Sequence, residues 1–344
     1  MRVNPQLILD LCSPRCAGRR PGTPGGDAAR ALVLGALRDA GLDAYEQPVP
    51  ACGGGNVLAL IPGDAPGWVV VGAHFDHLGT TGRHTFWGAD DNAAAVAVLV
   101  AVARALRGER AGRGVIIAAF DGEEPPFFMT GAMGSQAFCV APPVPLASIE
   151  LMVCMDLVGH RLGPALVPDD VGDTVFALGS ERSAGTAALV ERMKRATPGL
   201  VVRRADADII PPLSDYDAFW RARIPFLFLS AGRSRVYHTP DDTPDKLDFP
   251  KIEATARWLA AFVRETRRRD AIAFDVTGAG GDAATLDELA ELTRALAPLS
   301  RDAGDAVQRI ATLRRACDRT GRLPDRLRFE LGLLVGALES GLAG

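Results

Sequence analysis

Three apolar runs in this 344-residue chain end on side chains that bind metal ions or carry protons. Residues 69–73 lead into His74, Phe75 and Asp76; residues 115–120 lead into Asp121, Gly122, Glu123 and Glu124; residues 151–155 lead into Asp156. In an open α/β sheet, ligands bind in the crevice at the carboxyl ends of the strands. His, Glu and Asp delivered to one edge by three separate strands therefore form a site-like pattern. Gly88-Ala89-Asp90-Asp91-Asn92 precedes a helix expected over 92–106, whose positive end favours an ionised carboxylate. One of the two Asp is accounted for as an N-cap, but two exceed what capping requires. His238 lies in a Pro-rich loop after an apolar run, and by itself reads as a solvated histidine; His84 and His160 read the same way.

Mixed His and carboxylate donors without Cys suit zinc in a catalytic site, where three protein ligands leave one position for water. Five such ligands with one shared carboxylate would hold two ions about 3.5–4 Å apart. Asp76, two residues after His74, is placed to orient the imidazole through its other nitrogen. The neighbouring pair Glu123 and Glu124 suggests one ligand and one general base.

The elements that must position these groups read as α/β. A helix is expected over 27–40. Short runs rich in Val and Ile follow at 56–61, 68–73, 114–120, 151–155, 174–178 and 224–229, apolar on both faces as buried, largely parallel strands are. Helical patterns at 92–106, 183–196 and 250–268 separate several of them, which predicts a three-layer αβα sandwich around a mostly parallel, mixed sheet. After residue 270 the chain changes character. Three amphipathic segments follow a Gly-rich loop and carry no catalytic residue set, so residues 1–270 read as the functional domain and 271–344 as a helical C-terminal extension. That extension is expected to cover the core or to mediate a homo-oligomer contact.

Hydrophobic residues make up 48% and charged residues 23%, enough apolar material for a sizeable core. A net charge of −4 with no Lys/Arg-rich block argues against nucleic acid. No apolar run reaches membrane-spanning length, no secretory signal is evident, and six dispersed Cys without paired spacing fit reduced thiols, so a cytoplasmic location is expected.

Taken together, these residues resemble the M28 zinc exopeptidases, which include bacterial aminopeptidases, over roughly residues 11–263. The family's GAHxDHLG is matched by Gly72 through Gly79, its GADDNASG by Gly88 through Ala95, its GEE by Gly122-Glu123-Glu124, its MDxxG by Met155 through Gly159, and its YHTPxDTPDKLD by Tyr237 through Asp248. Ala17-Gly18-Arg19 with residues 21–25 is similar to its N-terminal segment. The resemblance implies two zinc ions held by His74, Asp91, Glu124, Asp156 and His238, with Asp91 bridging. It also implies Glu123 as general base and hydrolysis of the N-terminal bond of a peptide or aminoacyl substrate. Asp215 and Asp217 are candidates to hold the substrate's amino group.

Two departures stand out. After Glu124 the family's short GEExGLxGS turn is replaced by residues 125–133, an apolar and aromatic stretch expected to line the cleft, and the small Ser-Gly pair after the bridging Asp is Ala94-Ala95. The longer loop brings in glutaminyl cyclases, which share this fold and use one zinc, as the alternative. A non-catalytic binding module is disfavoured because all five ligand positions and Glu123 are filled.

Overall fold

The computed structural model describes residues 1–270 and 272–343. The strands are β1 (Tyr45–Val49), β2 (Gly54–Ile61), β3 (Trp68–His74), β4 (Thr80–Thr81), β5 (His84–Thr85), β6 (Gly114–Phe120), β7 (Ile149–Met155), β8 (Thr174–Leu178), β9 (Val201–Ala205) and β10 (Phe226–Ser230). The helices are α1 (Pro5–Leu11), α2 (Pro24–Asp39), α3 (Ala94–Leu106), α4 (Gly134–Val140), α5 (Asp169–Gly172), α6 (Thr186–Met193), α7 (Tyr216–Arg221), α8 (Phe249–Arg267), α9 (Gly281–Leu296), α10 (Arg301–Ala316) and α11 (Asp325–Leu342).

Eight strands form one sheet in the order β1-β2-β6-β3-β7-β10-β8-β9, and β4 with β5 makes a separate hairpin. The central strands β6, β3, β7 and β10 run parallel. β1 and β2 on one side pair antiparallel, as does β8 with β10, so the sheet is mixed with a parallel centre. His74 stands opposite Phe120, and Gly72 opposite Cys154. The chains leaving β3, β6 and β7 therefore emerge side by side.

Every residue of β6 is buried, because helices cover both faces. Val69, Val71 and Ile117 pack with α3 and α8 in one core; Val70, Ile116 and Met152 pack with Phe138 of α4 and Phe219 of α7 in the other. α3 is apolar almost all round, as a helix between a sheet and an outer layer must be. The expected start of this helix shifts from 92 to Ala94. Residues Ala89–Ala93 form a π-type turn in which Asp91 and Asn92 leave helical φ/ψ, so Asp91 is not a first-turn helical residue. The helix expected over 27–40 starts at Pro24, where Thr23 Oγ1 accepts from Gly26 N at 3.2 Å. The pattern read over 183–196 is helical only over Thr186–Met193.

The three C-terminal segments are helices with a core of their own around Leu286, Ile310, Leu313 and Leu331. α9 lies along the edge strand β9, where Thr285 Oγ1 accepts from Asp206 N at 2.8 Å and the buried guanidinium of Arg203 reaches Glu288 at 2.9 Å. An edge strand is thereby covered rather than left open for pairing. Among the described residues no helix is long and apolar enough to cross a membrane.

Candidate metal centre

His74 ends β3, Glu123 and Glu124 follow β6, and Asp156 follows β7, so three adjacent parallel strands deliver them to one edge. The π-type turn brings Asp91 between them, and the loop after β10 brings His238. The two oxygens of Asp91 face different imidazoles. Oδ1 lies 3.4 Å from His74 Nε2, which is also 3.4 Å from Asp156 Oδ1. Oδ2 lies 3.2 Å from His238 Nε2, which is 3.2 Å from Glu124 Oε2. Donor atoms around a tetrahedral zinc at its usual bond lengths are about 3.3 Å apart, and each imidazole keeps about that distance from its two carboxylates.

Unpaired polar atoms point the same way. His74 Nε2, Asp91 Oδ2 and Asp156 Oδ1 are buried without a hydrogen-bond partner among the described residues, which is costly unless something else satisfies them. Four carboxyls crowd this pocket. Burial, then the charge of Glu124, pushes Asp91 up to about 7, and burial with the charges of Asp156 and Glu124 pushes Glu123 well above the usual carboxylate range against the attraction of His74. Burial alone would lower both imidazoles, but the surrounding carboxyls outweigh it, holding His74 well above its ordinary value and His238 at about 10. The site is short of positive charge. A hard N/O donor set with no Cys fits zinc.

His77 joins this cluster without having been singled out by sequence. Its Nδ1 lies 2.7 Å from Glu124 Oε1 and 3.9 Å from Asp91 Oδ2. Although His77, Asp91 and Glu124 group closely enough to be read as a metal triad, 2.7 Å is a hydrogen-bond distance, too short for two donors on one ion. His238, at 3.2 Å from both carboxylates, is the better third donor. His77 instead holds one oxygen of Glu124 while the other faces His238. Its position in the matched first motif was the only sequence signal for it.

Asp76 sits behind the centre. Its Oδ1 lies 3.6 Å from His74 Nδ1, and its two oxygens accept from the backbone N–H groups of Glu123 and Glu124 at 3.1 Å each. It thus ties the imidazole to the turn that carries both glutamates. Asp242 does the same for the turn of Asp91, accepting from Asp90 N at 2.9 Å and Asp91 N at 3.1 Å. Asp90 faces away: Oδ1 accepts from Gly159 N at 2.7 Å, and Oδ2 lies 2.6 Å from His160 Nδ1. His160 is therefore a buried, paired residue rather than a surface one, whereas His84 is exposed in the β4–β5 hairpin. His238 holds a left-handed φ of 54° and stacks on Tyr237 at 3.9 Å. Such backbone strain concentrates at functional sites.

Arg19 is the second residue the sequence did not single out for a role. Fully buried, it donates to the carbonyls of Phe75 (2.7 Å), Leu11 (3.1 Å), Trp87 (2.6 Å), Gly88 (2.9 Å) and Asp91 (3.3 Å). One guanidinium thereby clamps the His74–His77 segment to the turn of Asp91. Of the two candidates for the substrate's amino group, Asp215 is fully buried beside the centre, its charge acting on His74 and Glu123, whereas Asp217 pairs with Arg221 at 2.6 Å along α7.

A cavity of about 500 Å³ opens from Glu123, Glu124 and Asp156. Pro125 and Phe128, from the segment that replaces the family's short turn, line it together with residues of α9 and α11.

A parallel-centred sheet carrying His and carboxylate groups at its strand ends defines an α/β protein with a candidate metal centre at the sheet's carboxyl edge. Peptidase family M28 matches residues 56–263, and the chain belongs to that family. It is 30% identical over 229 residues to the uncharacterized protein YfbL of Escherichia coli, a match covering 60% of this chain and 70% of that one. Its fold is similar to LapB of Legionella pneumophila (TM-score 0.63, 19% identity, 78% of this chain and 73% of that chain). It is also similar to the glutaminyl cyclase of Porphyromonas gingivalis (TM-score 0.61, 21% identity, 76% and 96%). A Zn-dependent exopeptidase of Parabacteroides distasonis is a further fold relative (TM-score 0.58, 18% identity, 78% and 99%).

Proposed function

We propose that this chain is a zinc-dependent aminopeptidase that hydrolyses N-terminal peptide bonds, in which His74 and Asp156 would hold one ion, His238 and Glu124 a second, and Asp91 would serve both. The observation that carries the reading is the split of the Asp91 carboxylate, one oxygen toward His74 and Asp156 and the other toward His238 and Glu124, at 3.2–3.4 Å throughout. Zinc bound there would supply the Lewis-acid charge that activates a water and polarises the scissile carbonyl.

The chain's own groups do the rest. Glu123 groups with His74 and Asp156, but its Oε2 stands back at 3.8 Å from His74 Nε2, where it takes the proton of the attacking water and returns it to the leaving amine. Its burial favours the protonated form between those two steps. Asp76 keeps His74 and the glutamate turn in register, and His77 holds Glu124. Pro125 and Phe128 shield the bond from bulk water, which strengthens every electrostatic interaction inside.

Peptides beginning with Leu, Ala or Gln, incubated with zinc-reconstituted protein and followed by mass spectrometry, test this reading. Release of the first residue from each supports it. Loss of ammonia from the Gln peptide alone, with the others untouched, would make the chain a glutaminyl cyclase instead.

A further inference from the structure

The family match ends at residue 263, yet much of the cavity wall comes from beyond it. Leu289 and Leu292 of α9 and Val335 and Leu338 of α11 close the side away from the sheet, opposite Phe176 and Phe228. α11 is latched to the loop that carries His238: Arg233 meets Glu339 through Nε at 2.9 Å and Nη2 at 2.8 Å, and Arg235 N donates to Ala343 O at 3.1 Å. The C-terminal helices are thus part of the substrate site.

The chemistry of this wall is selective. Outside the metal centre its carboxylates are already matched by cations: Asp206 by Arg322 at 3.1 Å, Glu288 by Arg203 at 2.9 Å and Lys194 at 2.8 Å, and Glu339 by Arg233. Arg204 has Ser180 Oγ, at 3.1 Å, as its side-chain partner and no carboxylate among the described residues. The wall therefore offers nothing to a cationic side chain and repels one through Arg204. What remains is apolar surface, in a volume of the class that buries a whole drug-sized ligand, more than one ordinary side chain fills.

We infer that the residue bearing the scissile bond carries a long, unbranched aliphatic chain that lies in this cavity against α9 and α11. The inference rests on the aminopeptidase reading for its chemistry and on the cavity alone for its binding. The chain is attached at the α-carbon, which leaves the α-amino group free as the aminopeptidase reading requires.

The test measures kcat/KM for 2-aminoacyl p-nitroanilides from four to twelve carbons. The series should rise by about fourfold per methylene, the value of one buried CH₂, and the lysyl compound should be the poorest substrate. Binding of decanamide to metal-free protein, followed by calorimetry, gives a readout free of catalysis. Leu338→Glu should lower the ten-carbon to four-carbon ratio tenfold or more and weaken decanamide binding, while the volume-conserving Leu338→Met retains both. If short amides are turned over with no dependence on chain length and decanamide does not bind, the cavity assignment is overturned and the peptidase reading stands. If decanamide binds wild type but not Leu338→Glu while no amide is cleaved, the cavity assignment stands and the peptidase reading fails.

Discussion

Oδ2 of Asp91 lies 3.2 Å from Nε2 of His238, although 147 positions separate them in the chain (238 − 91) and His238 comes from a loop with a left-handed backbone. The same carboxylate reaches His74 through Oδ1. In the proposed centre each imidazole would serve one ion, and Asp91 both. His238→Ala should leave one tight zinc equivalent of the two, whereas Asp91→Ala should lose both. Equilibrium dialysis with elemental analysis reads the stoichiometry directly. Unchanged two-ion binding in His238→Ala would remove His238 from the ligand set.

His77 Nδ1 lies 2.7 Å from Glu124 Oε1 and, in the proposed centre, would set the orientation of Glu124 without occupying a ligand position. His77→Ala should weaken zinc affinity by about 10–100-fold, the usual range for loss of a partner that orients a ligand, without removing either equivalent at saturating metal. His77→Gln, which keeps a side-chain hydrogen-bond donor, should recover part of that loss. Competition with a chelating dye measures both variants. Loss of a whole equivalent at saturation would make His77 a ligand.

Part of the centre was legible because three of the five proposed ligands follow apolar runs whose type and length announce buried strands, whereas His238 was legible only through the motif match. His74, Glu124 and Asp156 fall at the ends of β3, β6 and β7, and period and position suffice to place them. Asp91 was legible as a residue but not as a geometry, since the turn leaves helical φ/ψ two residues before the helix that its sequence continues. β1 and β9 were missed for physical reasons: β1 is a half-exposed edge strand containing Pro48, and β9 hides its character behind Arg203, buried only because Asp170 and Glu288 neutralise it. Two neighbouring carboxylates on one short element diverge: Asp215 is buried beside the centre, whereas Asp217 pairs with Arg221, a difference that proximity in sequence does not reveal. The amphipathic faces of α9 and α11 were visible, but not that they would meet the cleft.

Arg19 carries five carbonyl contacts in a fully buried position. Arg19→Ala should destabilise the fold by about 3 kcal/mol or more, since hydrogen bonds to a charged group are worth about 1.5–3 kcal/mol each. Arg19→Lys should lose most of the same amount, because an ammonium cannot span the carbonyls that a planar fork reaches. Urea denaturation of metal-free protein gives the comparison, and a Lys variant as stable as wild type would show that charge alone suffices.

Glu181 supplies a pH signature away from the metal centre. Burial, then the charge of Asp206, pushes its carboxyl up to about 7 from 4.5, and Oε1 accepts from Ala207 N at 3.0 Å. Below pH 4.5 the group is protonated in both folded and unfolded chains and exacts no penalty. As pH rises from 4.5 to 7 the unfolded chain ionises first, so stability falls, and above 7 the loss is complete at about 3 kcal/mol. Glu181→Gln keeps an acceptor for Ala207 N and has no such titration. It should be more stable than wild type at pH 8 and equal to it near pH 4.5, as thermal unfolding across that range would reveal. A difference between the two proteins that does not vary with pH would contradict the assignment.

The central claim is metal-dependent hydrolysis with Glu123 moving the proton, and a zinc titration tests it most directly. Metal-free protein, supplied with zinc in fractions of an equivalent, is assayed for release of the first residue from a leucyl peptide, with Glu123→Gln carried in parallel. Activity absent without metal and reaching its plateau at two equivalents, with the variant binding the same zinc but working about 10²–10⁴-fold more slowly, is the predicted result. Full activity in the metal-free protein, or in Glu123→Gln, would contradict it.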